Sequence, residues 1–138
     1  MLSSLLYGTA YSLLGIALLA AGFVALDLLT PGRLGQQIWQ DRSVNAAVVL
    51  SSGFVGLGAI EFTAIWTNAD SGFGPALLWT LAFGLLGIVL QVVSFLVLDL
   101  LTPGRLGAVV VERAFHPAAV VTAASQLAVS AVIVASIA

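Results

Sequence analysis

Apolar residues run along this chain in four long blocks, and the polar residues gather in the gaps between them. The blocks cover about 5–29, 45–67, 75–101 and 117–138. Each is near or above the roughly 20 residues that a helix needs to cross the hydrocarbon core of a bilayer. Lipid satisfies no backbone N–H or C=O group, so the choice lies between helices and closed barrels. Barrel strands alternate over about ten residues, whereas these blocks are apolar throughout. The pattern predicts an all-α integral membrane protein with four transmembrane helices in contact with the lipid bilayer.

One stretch is written twice. "LDLLTPGRLG" at Leu26–Gly35 returns unchanged at Leu98–Gly107, an offset of 72. The same offset places Leu13-Leu14-Gly15-Ile16 on Leu85-Leu86-Gly87-Ile88, and Ala46-Ala47-Val48-Val49 on Ala118-Ala119-Val120-Val121. The unit is a two-helix hairpin, with repeat one at about 1–68 and repeat two at about 73–138 of a single membrane domain. A unit that crosses twice returns to its starting side. The expectation is two tandem hairpins of the same orientation, unlike the inverted repeats of many transporters.

Within the repeated stretch, Pro31 and Pro103 cannot continue a helix and push the preceding threonine towards an extended backbone. Gly32 and Gly104 permit the turn that follows. Arg33 and Arg105 fall where a helix end is partly negative and lipid phosphates are near, with Asp27 and Asp99 one turn inside the break. A local Asp–Arg clasp is expected in each copy, serving as a stop-and-anchor device or, alternatively, as part of an ion path or a docking surface. After the break, "QQIWQDR" and "AVVVERAFH" are expected to form short interfacial helices, with Trp39 and Phe115 at the headgroup level.

Composition agrees with the pattern, and charge adds a direction. Apolar residues make up 61% of the chain and charged ones 7%, against roughly 45–50% and about 25% in soluble domains. Lysine is absent, and Arg33, Arg42, Arg105 and Arg113 all lie between the first and second or the third and fourth spans. The positive-inside rule then puts both of those loops in the cytoplasm, and the two termini with the "TNADSGFG" turn outside. "ALLAAG" near the start looks cleavable, but no basic region precedes it, so the first span is expected to be retained. With no cysteine there is no disulfide framework, and a net charge of −2 is too slight to point to a partner.

Small residues mark a packing stripe on each span: Gly8, Ser12, Gly15 and Gly22; Ser52, Gly56, Ala59 and Thr63; Thr80, Gly84, Gly87 and Ser94; Ala124, Ala128, Ala131 and Ala135. Such stripes let helix backbones approach in lipid. Gln91 lies on its stripe and must find a partner there. Glu61, about six residues or roughly 9 Å from the end of its span, stands opposite its stripe. If that stripe packs within the hairpin, Glu61 points outward, to snorkel, to take up a proton or to meet another subunit. Its partner in the repeat is Ile133.

Asn45 and His116 stand where the second and fourth spans begin and are read as caps, His116 with Pro117 as the first helical residue. One histidine without clustered carboxylates makes no metal site. No nucleophile–base pair and no phosphate-binding glycine loop is present, and four arginines make no nucleic-acid surface. No catalytic residue, cofactor or nucleic-acid partner is expected, and the chain is not read as an enzyme.

The duplicated units, the arginine-bearing loops, "DRSVNAAVV" at Asp41–Val49 and "LDLLTPGRLG" together resemble the bacterial inner-membrane YjfL family, a domain of unknown function, over essentially the whole chain. The second unit departs from it, with His116-Pro117 where the first has Val44-Asn45. The resemblance implies a four-span bacterial inner-membrane protein and supplies no catalytic residues or substrate. Two functions follow as expectations. The first is a homo-oligomer acting in ion or proton permeation through Glu61 and Gln91. The alternative is a non-transporting scaffold that recruits a cytoplasmic or membrane protein partner through its two TPGRLG loops.

Overall fold

The computed structural model describes residues 1–138, which form helices and turns with no strand. In chain order these are α1 (Leu2–Leu29), α2 (Leu34–Trp39), α3 (Val44–Thr67), a 3-10 turn (Ala69–Ser71), α4 (Phe73–Leu101), α5 (Leu106–Val110) and α6 (Pro117–Ile137). The four long helices have the length and apolar character to cross a membrane, and they coincide with the blocks expected from the sequence. The short helices α2 and α5 follow the two proline breaks as anticipated.

Each break is built the same way. Thr30 and Thr102, the residues before proline, are extended at φ/ψ of −111/144 and −101/146. Gly32 and Gly104 then turn at φ of 82 and 90, a region open to glycine and costly for residues with a Cβ. The aspartates do not clasp the arginines. Asp27 Oδ1 accepts from the Leu34 N–H at 2.6 Å, and Asp99 Oδ1 accepts from the Leu106 N–H at 2.6 Å. An unpaired N–H at a helix start is fixed in space and needs an acceptor, whereas arginine at the water boundary is solvated without one. Arg33 and Arg105 are exposed, and the one salt bridge in the protein joins Asp41 to Arg113 at 3.4 Å.

Viewed down the bundle, the spans stand at the corners of a rhombus. α3 and α4 occupy the short diagonal, each touching all three other spans, while α1 and α6 sit at the far corners. The most extensive seam is α3 against α6. At one end of the bundle Tyr7 of α1 stacks on Phe73 at the start of α4, with centroids 4.2 Å apart. The outer surface is leucine, isoleucine, valine and phenylalanine, as a lipid-facing surface must be.

The packing stripes are correct on α4, where Thr80, Gly84 and Gly87 are buried together with Gln91. On α6 the expectation fails, because Ala124, Ala128, Ala131 and Ala135 are all exposed. The inward face is instead Ala119, Thr122, Ala123, Gln126, Ser130 and Ile133. Lipid accepts alanine as readily as a neighbouring helix does, but it leaves an amide or a hydroxyl unsatisfied, so the polar face turns inward. On α1, Gly8 and Ser12 face outward, and only Gly15 and Gly22 meet α3.

Candidate functional site

The polar side chains of the spans converge in the interior of the bundle. α3 contributes Ser52 and Glu61, α4 contributes Thr80 and Gln91, and α6 contributes Thr122, Gln126 and Ser130, all buried. The meeting of α3 and α6 permits it. A Cβ at Gly56 would overlap Ser130 and stand 3.0 Å from Gln91 Nε2, and one at Gly53 would stand 3.1 Å from Gln126 Oε1. Two glycines on α3 thus make the room in which two glutamines of the neighbouring spans sit.

The hydrogen bonds tie three spans together. Gln91 Nε2 donates to Ser130 Oγ at 3.0 Å and to the Gly53 carbonyl at 3.3 Å. Ser130 Oγ donates in turn to the Gln126 carbonyl at 2.8 Å. Ser52 Oγ lies 3.0 Å from Gln126 Oε1 and 2.7 Å from the Val49 carbonyl, with one proton to share between them. Beside this layer, Ser94 and Ser125 join α4 to α6 at 2.6 Å. Interhelical bonds of this kind contribute roughly 0.6 kcal/mol each in a membrane bundle, so the set fixes register more than it supplies stability. Two small cavities of about 20 Å³ each flank the glutamines, both lined by Gly22, Leu26, Gln91 and Gln126. Each has the room of one water molecule.

Glu61 stands apart from this layer and does not point outward. It is 8% exposed and lies in the seam between α1 and α3, where its Oε2 would be 3.0 Å from a Cβ at Gly15. The stripe used to orient it, Ser52-Gly56-Ala59-Thr63, is only half inward, since Ala59 is exposed and Thr63 intermediate. The buried face of α3 instead runs through Gly53, Gly56, Leu57, Ile60, Glu61 and Ala64. Glu61 Oε1 is buried without a hydrogen-bond partner.

His116 caps α6 as expected, its Nδ1 accepting from the Ala118 N–H at 3.0 Å. Asn45 does not cap α3; Ser43 does, accepting from the Ala46 N–H at 3.2 Å. Asn45 is fully buried, and its side chain crosses to the other half of the molecule. Its Nδ2 reaches the carbonyls of Val109, Glu112 and Ala114 at 3.1, 3.3 and 2.8 Å, while its Oδ1 accepts from the His116 N–H at 2.9 Å. The hydroxyl of Ser43 reaches the Val110 and Glu112 carbonyls beside it. Asn45 is thus a clamp on the segment between α5 and α6. Gln126 went unread in the sequence, although its position between Thr122 and Ser130 at four-residue spacing marks an inward polar face. Trp39 and Phe115 are exposed at the loop end of the bundle, where interfacial aromatics belong. No group of three or more potential metal ligands is assembled anywhere.

The family described as Domain of Unknown Function (DUF350) matches residues 1–137. A UPF0719 transmembrane protein of Mycolicibacterium paratuberculosis is 39% identical over 127 residues, covering 92% of this chain and 83% of its own length. UPF0719 transmembrane proteins of Mycobacterium bovis and Mycobacterium tuberculosis are 34% identical over the same share of each chain. No solved structure matches.

Proposed function

This chain belongs to the DUF350 family, and on that premise we propose that it acts in ion or proton permeation across a bacterial inner membrane, with Glu61 as the group that exchanges charge. The observation that carries this reading is a carboxylate inside the bundle with one oxygen buried and unpartnered. An uncompensated buried charge costs several kcal/mol. A sequence that needed only packing would place an apolar residue there, as Ile133 stands at the corresponding place in α6. Binding a proton or a cation removes that cost, and releasing it restores the cost. The site therefore suits a group that cycles between two states.

From Glu61 towards the loop end, the interior passes the apolar side chains of Leu57 and Ile60 and then reaches the polar layer of Gln91, Ser130, Ser52 and Gln126. The one-water cavities beside the glutamines make this layer a support for a relay. In this reading the arginine-bearing loops are cytoplasmic, which places Glu61 in the outer half, and the likeness to the YjfL family belongs with it. The homo-oligomer expected from an outward carboxylate loses that argument, since Glu61 is covered by α1 of its own chain.

Purified protein in vesicles tests the reading. Under an imposed potassium diffusion potential, pH-dependent flux is expected in the parent and is expected to be abolished in Glu61→Gln, with both eluting alike from size exclusion. Equal flux in the two proteins removes the proposal. A second reading, a scaffold that binds a partner at its loops, is favoured by one observation: Arg33 and Arg105 are both exposed with no acidic partner. A parent protein without flux leaves that reading in place.

A further inference from the structure

The two copies of LDLLTPGRLG line grooves of the same make with different neighbours. In the second copy, Phe95, Asp99, Arg105, Gly107 and Ala108 form one wall, and the end of α1, Leu28–Pro31, forms the other. In the first copy, Phe23, Asp27, Arg33, Gly35 and Gln36 line a groove, each 72 residues before its counterpart. No residue of another span closes this one, and Trp39 and Gln40 of the same copy flank it instead.

The glycines report the same contrast. A Cβ on Gly107 would stand 2.9 Å from the Leu29 carbonyl oxygen and 3.5 Å from Pro31, whereas on Gly35 it would meet only the Phe23 ring, at 3.9 Å. The close approach across Gly107 is a formed contact. Gly35 has the same open face and no such neighbour.

The matching segment is free as well. Leu28–Pro31 recurs as Leu100–Pro103 at the end of α4. Thr30 is buried and Leu29 half-buried, but Thr102 is half-buried and Leu101 is 75% exposed. Each chain therefore carries one completed contact, and also the two separated halves of a second one.

We propose that a second copy of this chain completes it, with Leu100–Pro103 of one chain seated in the Phe23-Asp27-Arg33-Gly35 groove of the next. The internal contact names the occupant, because Leu28–Pro31 recurs unchanged as Leu100–Pro103 and Phe95, Asp99, Arg105 and Gly107 recur as Phe23, Asp27, Arg33 and Gly35, with Gln36 in place of Ala108. One segment and one groove per chain close into a pair or a larger ring when the rotation between neighbours allows. The gain comes from close packing at the glycine, as elsewhere between helices in lipid.

The chain has no cysteine, so introduced pairs report without background. Leu29→Cys with Ala108→Cys copies the internal contact, and mild oxidation of membranes is expected to join them within one chain. Leu101→Cys with Gln36→Cys is the transposed pair. It is expected to give products of twice the chain mass or more on denaturing gels, several-fold above either single variant. The same product is expected when the two single variants are co-expressed. A transposed pair that stays monomeric while the internal pair oxidises overturns the proposal and leaves lipid in the groove. Cross-linking to a different protein overturns it as well.

Discussion

Leu26–Gly35 and Leu98–Gly107 share every residue, break their helices at the same proline and cap the next helix with the same carboxylate, yet Leu29 is half-buried and Leu101 is 75% exposed. Local chemistry sets the turn, and what comes from outside sets its burial. The spans around these turns have diverged instead. Glu61 stands against Ile133, Gln91 against Leu19, Gln126 against Phe54, Ser130 against Gly58 and Ser52 against Ala124 at the same offset. Every polar group of the interior thus has an apolar or small counterpart. The polar core is assembled from α3 of the first half and α4 and α6 of the second, and it has no duplicate.

The largest break in this comparison is expected at Asn45, whose counterpart is Pro117. Asn45→Ala removes the clamp across the two halves and strands carbonyls at a buried site, a cost of about 2–3 kcal/mol. The midpoint of unfolding in mild detergent, followed by tryptophan fluorescence, should fall accordingly. An unchanged midpoint would show that the two halves hold together without it. Next comes the glycine pair. Within one chain, Gly107→Ala pushes a methyl group against the Leu29 backbone, while Gly35→Ala meets only the Phe23 ring at ordinary contact distance and gains helix propensity, so the two variants should differ by about 2 kcal/mol in single chains held apart by detergent. Equal midpoints would erase the distinction between the filled and open grooves. The smallest effect concerns what the copies share. Asp27→Ala and Asp99→Ala each remove a cap and should each cost about 1 kcal/mol, with unequal losses showing that even the local turn depends on its surroundings.

The spans and their breaks were legible because length, hydropathy and proline act locally. His116 was legible for the same reason. Which face of each span turns inward was not, since in lipid both faces are apolar and alanine carries no direction. That is why the Ala124-Ala128-Ala131-Ala135 stripe and the outward placement of Glu61 fail, and why Thr122, Gln126 and Ser130 were the better guide. The Asp–Arg clasp was inferred from opposite charges near each other in sequence. Nothing in that proximity shows that a helix start seven residues on competes for the carboxylate and wins. Asn45 reads as a cap by position, and its true partners, 64 to 71 residues away, exist only once the halves meet.

The seam between α3 and α6 also has a consequence for how the protein is made. A nascent chain halted after α4 leaves Ser52 without Gln126 and Gly56 without Ser130, and Gln91 keeps the Gly53 carbonyl but not the Ser130 hydroxyl. Arrival of α6 is therefore what seals the bundle.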